Sequence, residues 1–213
     1  MARGPGVGVA AALKDLLLGS DVRLALAIST VLVAAAAAFI LAAVLNPPDR
    51  TVAALIPLAQ LLMTLLTPFS AALATSELRT PKAQQPAVRA YWAGAAIYAV
   101  AIGTLGLLAC VLAVTALGAA PESWLGGPSV VVGSLLVQLI PVGVGCAAGL
   151  LLPRAWLACL TTVVVPLGVT LLLGTLGPRG AADWLTPLGA AGHLVPGPMS
   201  ILNWAQWIVV AAL

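Results

Sequence analysis

Charge is what this chain has least of. Its 213 residues include nine basic and six acidic side chains, so charged types make up 7% of the sequence, against about 25% in an average soluble protein. A soluble domain of this length needs a polar surface to cover its core, and so few charges cannot supply one. Histidine occurs once, at His193, and lysine twice, at Lys14 and Lys82. A lone histidine cannot make a metal site. The three cysteines, Cys110, Cys146 and Cys159, are odd in number and follow no metal-ligand spacing. They argue against a disulfide framework or a zinc site and read as small packing residues. No Gly-Lys pair occurs, which removes the phosphate loop as a route to ATP. The acids Asp15, Asp21, Asp49, Glu77, Glu122 and Asp183 all lie at or beyond the ends of the long apolar runs. A buried carboxylate relay of the kind proton-driven carriers use is therefore missing. No nucleophile stands with a base at membrane depth either, so the chain is not expected to be an enzyme. Its net charge of +3 would hint at nucleic acid in a soluble protein. Here that excess is a signal of topology, and nucleic acid is not an expected partner.

What the chain has in abundance is apolar sequence, 62% by residue type, with a mean hydropathy of +1.14. Uncharged runs occupy Leu24–Leu45 and about 51–76, 90–121, 123–153 and 155–178. At about 1.5 Å per residue, each crosses a hydrocarbon core of about 30 Å as a helix. If the chain starts in the cytoplasm, Arg3, Lys14, Arg23, Arg79, Lys82, Arg89 and Arg154 all lie inside, and only Arg50 and Arg179 lie outside. The opposite orientation violates the positive-inside rule. The expected architecture is an all-α polytopic transmembrane bundle in a single domain with a cytoplasmic N-terminus, surrounded by lipid.

Along the chain, residues 8–19 place Val9, Leu13, Leu16 and Leu17 at helical spacing, with Lys14 and Asp15 on another face. This predicts a short amphipathic helix at the cytoplasmic interface. Spans are expected at about 24–45, 51–75, 90–117, 129–152 and 155–177. The second carries Pro57, Gln60, Thr64, Thr67 and Pro68. Proline bends a helix, and a polar stripe on a bent helix turns toward protein or a cavity rather than toward lipid. Two readings stay open for that stripe, interhelical glue and the lining of a pathway. Gln138, near the middle of the fourth span, belongs to the same question. Gly145 and Gly149 have the spacing of a close helix contact. Residues 76–89 form the one polar connector of any length, with Glu77, Arg79, Lys82 and Arg89; it is a topological loop or a docking surface for a soluble partner. Residues 178–203, rich in proline and glycine yet mostly apolar, suggest an outer segment that dips into the membrane surface. The run 204–213 reaches only about 15 Å as a helix and reads as a sixth span cut short.

This order of elements resembles the membrane subunit of type-2 ABC exporters: an amphipathic entry helix, two spans, a polar connector, three spans, a re-entrant-like outer segment and a last span. The local match is Thr75-Ser76-Glu77-Leu78-Arg79-Thr80, similar to the Ser-Glu-aromatic-Arg-Thr-Gly-Thr stretch that follows the second span in actinobacterial permeases of this class. Leu78 stands where those have an aromatic residue, and Pro81-Lys82 where they have Gly-Thr. The resemblance implies a half-transporter of the bacterial cytoplasmic membrane that works as a homodimer or with a paired permease subunit. Each half would rest on a cytoplasmic ATP-binding subunit, so ATP is the partner's cofactor and this chain holds none. Glu77, Arg79, Lys82 and Arg89 would then be partner-coupling residues. The pathway would lie between subunits, lined by the first, second and fifth spans, with Gln60, Thr64, Thr67 and Gln138 as lining candidates. The nearly uncharged interior points to an apolar or amphipathic cargo. The alternative from another class is a non-transporting membrane scaffold or immunity-type protein that binds a partner through its helices.

Overall fold

The computed structural model describes residues 8–78, 85–118, 128–177, 181–186 and 200–212, and every regular element among them is helical. In order they are α1 (Val9–Leu18), α2 (Asp21–Val44), a 3-10 turn (Pro47–Asp49), α3 (Val52–Glu77), α4 (Gln85–Ala116), α5 (Pro128–Leu136), α6 (Leu139–Leu151), α7 (Ala155–Leu176), α8 (Ala181–Leu185) and α9 (Ile201–Ala212). Five stretches are long and apolar enough to cross a membrane: Asp21–Val44, Val52–Glu77, Arg89–Ala116, Val132–Leu151 and Ala155–Leu176.

Local chemistry sets the ends of these helices. Ser20 caps α2, its hydroxyl accepting from the Arg23 backbone N–H, and Asp21 sits in the first turn where the helix dipole favours an acid. Thr51 caps α3 in the same way through the Ala54 N–H. Two expected boundaries shift. Helix α3 runs through Glu77, and α4 begins at Gln85 with Pro86 in its first turn, where the missing N–H costs nothing. The connector between helices is thus shorter than 76–89. The expected fourth span is two helices, α5 and α6, separated at Val137-Gln138. Pro141 explains the interruption, because it has no N–H to give the Val137 carbonyl and its ring crowds that group. Residues 204–212 of the last apolar run belong to α9, which begins at Ile201, measures about 18 Å and rests on α8.

Helix α3 is the centre of the bundle, packed against α2, α4, α6 and α7. Small side chains make this possible. The buried face of α2 reads Ala27, Thr30, Ala34, Ala38 and Ala42, and each step of three or four residues keeps them on one stripe. At α6, Gly145 and Gly149 lie directly on α3, where a Cβ would run into the backbone at Pro68 and at Ala72. The spacing of those two glycines therefore marks a real close approach, and the Thr75 hydroxyl sits 3.2 Å from the Cys146 carbonyl at the same contact. Cys110 and Cys146 are buried packing residues and Cys159 is partly covered; all three are free thiols. Helix α7 is peripheral, burying only Ala158 and Thr162. Helix α1 packs along α4 and touches α2 and α3, with Ala12 and Leu16 buried beneath it.

Candidate functional site

One end of the bundle converges on a single guanidinium. Arg23, in the first turn of α2, is 1% exposed. Its Nη1 donates to the Asp15 carbonyl at 2.8 Å and to Asp15 Oδ2 at 3.3 Å, both on α1. Its Nη2 donates to Glu77 Oε1 at 2.7 Å, at the last turn of α3. Tyr91 on α4 completes the junction by donating its hydroxyl to the same Asp15 Oδ2. Four helices are therefore tied by one cation, two carboxylates and a phenol. The geometry follows from the turn at Gly19-Ser20, which folds α1 back so that its last carbonyls meet the start of α2. The Asp15 carbonyl there already accepts the Gly19 N–H at 2.8 Å, and the guanidinium adds a second, charged donor to it. The members differ sharply in exposure. The Arg23 side chain is 2% exposed and the Glu77 side chain 64%, so Glu77 is the arm of the junction that meets the surroundings.

The sequence pointed to Glu77 but not to Arg23, Asp15 or Tyr91. Of the other expected coupling residues, Arg89 is exposed near the start of α4, while Arg79 and Lys82 lie outside the described residues. At the opposite end of the bundle, Arg50 plays a capping part the sequence did not suggest. Its Nε donates to the Leu45 carbonyl at 2.9 Å and its Nη1 to the Leu117 carbonyl at 3.1 Å, joining the ends of α2 and α4.

The polar residues of the spans come together inside the bundle. Gln138 Nε2 donates to Gln60 Oε1 at 2.8 Å, and Gln60 Nε2 donates to the Gly103 carbonyl at 3.1 Å. The helix break at Val137-Gln138 turns Gln138 toward α3, so α3, α4 and the α5–α6 hinge share one amide network. Gln138 Oε1 is buried without a partner. Thr64 and Thr67 are also buried, and their hydroxyls return to their own helix at Leu61 and Met63. The stripe expected to face protein or a cavity faces protein. The side of α3 that looks outward is apolar instead, with Leu58 and Leu61 exposed and Leu65, Phe69 and Leu73 partly so.

Between α3 and α7 that outward side forms a groove of about 770 Å³, walled by Phe69 and Leu73 on one helix and Trp156, Leu160 and Val164 on the other. No charged side chain lines it. Among the described residues no cluster of His, Cys, Asp and Glu has the geometry of a metal site. The chain was compared with family models, with curated proteins and with solved structures, and nothing matches it in any of the three.

Proposed function

We propose that this chain is the membrane subunit of an ATP-driven exporter, with the Arg23 junction at its cytoplasmic face and ATP bound by a separate subunit. The observation that carries this reading is the tie between Glu77 and Arg23. The polar connector follows directly on Glu77, the last residue of α3 and one bonded to the hub of four helices. A pull on Glu77 would pass through the Arg23 guanidinium of α2 to Asp15 on α1 and from there to Tyr91 on α4. In the sequence, Arg79, Lys82 and Arg89 follow Glu77 and give this connector the positive charge expected of a cytoplasmic loop. Two copies, or this chain with a paired permease subunit, would enclose the pathway. The expected lining helices are the first, second and fifth spans, which are α2, α3 and α7. Consistent with this, α3 packs on both of the others and turns an apolar side outward between them. An apolar or amphipathic molecule suits such walls.

The test is co-purification. The chain is co-expressed with a candidate ATPase, defined as a small phosphate-loop protein encoded by a neighbouring gene, and the two are purified in mild detergent. Stable capture supports the reading. Failure of such an ATPase to associate with correctly inserted chain overturns it.

A second reading, a non-transporting scaffold or immunity-type protein, draws on a different observation. Gln60, Thr64, Thr67 and Gln138 are satisfied or enclosed by neighbouring helices, as in a bundle whose polar groups serve assembly alone. Capture of a partner without any ATP-dependent change would favour it.

A further inference from the structure

We infer that Arg23 is a positioning residue that makes the docking of α1 on α4 depend on the carboxylate at the end of α3. Asp15 and Glu77 are held by different nitrogens of one planar group, Nη1 and Nη2. Fixing one bond therefore aims the other. Asp15 is in turn shared with Tyr91 of α4, so the aim of the guanidinium decides whether α1 is pinned to α4. The apolar contact beneath is made by Ala12 and Leu16, with Leu13 and Leu17 packed against the same core. It lies against a helix that reaches close approach because residue 94 is glycine, where a Cβ would stand 3.1 Å from the Leu13 backbone nitrogen.

Loss of Glu77 leaves Nη2 buried beside Nε, which already lacks a partner. Two orphaned donors on one buried cation are costly, and a long side chain turns to satisfy them. Turning removes Nη1 from Asp15. Arg23 is sealed from solvent, whereas Glu77 is not. A basic side chain of a docking protein would therefore act on α1 by drawing away Glu77. That trigger rests on the proposed coupling role of Glu77; the link inside the chain does not, and it is measured without a partner.

The experiment uses the full chain with Cys110, Cys146 and Cys159 replaced and with Ala12→Cys introduced. Ala12 is fully buried, and residue 94 stays glycine, since a Cβ there would stand 3.1 Å from the Leu13 backbone nitrogen. Maleimide labelling of Ala12→Cys in membranes reports whether α1 is docked. Glu77→Ala, which removes the acceptor, should speed labelling by about threefold or more, a coupling typical of one shared network. Arg23→Lys, which keeps the charge but has no fork, should do the same, while Arg89→Ala should match the parent. Labelling of Glu77→Ala at the parental rate would overturn the inference, whatever Arg23→Lys does. Failure to capture an ATPase would leave these rates untouched, so the two claims fail separately.

Discussion

Arg23 and Glu77 stand 54 positions apart in the chain, yet Nη2 of one lies 2.7 Å from Oε1 of the other. The pairing changes what a substitution at Glu77 means. Read from sequence, Glu77→Lys reverses a rim charge and weakens partner binding while the protein inserts and purifies normally. In the structure it sets a lysine against a guanidinium that cannot move into water. Glu77→Lys should therefore lose stability as well as partner binding.

Thermal unfolding in detergent separates the two effects. Glu77→Gln, which removes charge but keeps an acceptor, should cost less than the roughly 1.5–3 kcal/mol typical of a hydrogen bond to a charged group. Glu77→Lys should cost more than Glu77→Gln by a clear margin, because a buried charge that loses its counter-ion is strongly destabilising. Arg89→Ala, at an exposed site, should unfold with the parent. Equal midpoints for Glu77→Lys and the parent would show that the ion pair contributes nothing.

The glutamine pair yields a double-mutant cycle. Gln138→Leu strands the Gln60 side-chain oxygen among helices, and Gln60→Leu takes from the Gln138 amide its 2.8 Å acceptor and leaves it only the residue 60 backbone carbonyl at 3.3 Å. Each should cost about 1–3 kcal/mol for an unsatisfied buried group. The double variant should cost less than the sum, because both partners are then gone. Strict additivity in the unfolding midpoints would mean that the two amides do not share a bond.

Close approach is tested by glycine. A methyl group at Gly149 meets Ala72 and Thr75 on α3, whereas one at Gly168 meets nothing. Gly149→Ala should destabilise by about 1–3 kcal/mol through overpacking. Gly168→Ala should be neutral or stabilising by up to about 1 kcal/mol, the helix preference for alanine. The same unfolding assay reads both, and equal effects at the two sites would refute the α3–α6 contact.

How legible these features were in the sequence depends on the range of the interaction. The spanning helices were legible because absence of charge over twenty residues is a local property. The break at Val137-Gln138 was signalled by Pro141, and the start of α4 by Pro86, a proline suited to a first turn that instead reads as part of a polar loop. Gln60, Thr64 and Thr67 were legible as a stripe turned to protein or a cavity rather than to lipid, since their spacing fixes a common face; which of the two was not. Which protein groups they meet was not, because Gln138 lies 78 positions from Gln60. Arg23 was hidden by a sufficient local explanation. A basic residue at the edge of a first span satisfies the positive-inside rule, and nothing near it tells that Asp15, Glu77 and Tyr91 fold onto it. The useful clue was the presence of opposite charges at one end of consecutive spans.

Orientation is open to direct labelling. Single cysteines at Arg50, Glu122 and Asp183, in a chain lacking native cysteines, should react with an impermeant maleimide from outside intact cells. Cysteines at Lys82 and Arg154 should react only after the membrane is opened. Labelling at Lys82 from outside would reverse the orientation and move the Arg23 junction away from any cytoplasmic partner.

The most direct measurement is ATP hydrolysis by the candidate ATPase of the proposed function, reconstituted in lipid nanodiscs alone, with the parent chain, with Glu77→Gln and with Arg89→Ala. The account predicts that the parent chain raises hydrolysis, that Glu77→Gln lowers this stimulation, and that Arg89→Ala retains most of it. Hydrolysis at one rate in all of these mixtures, with the chain folded and correctly inserted, would contradict it.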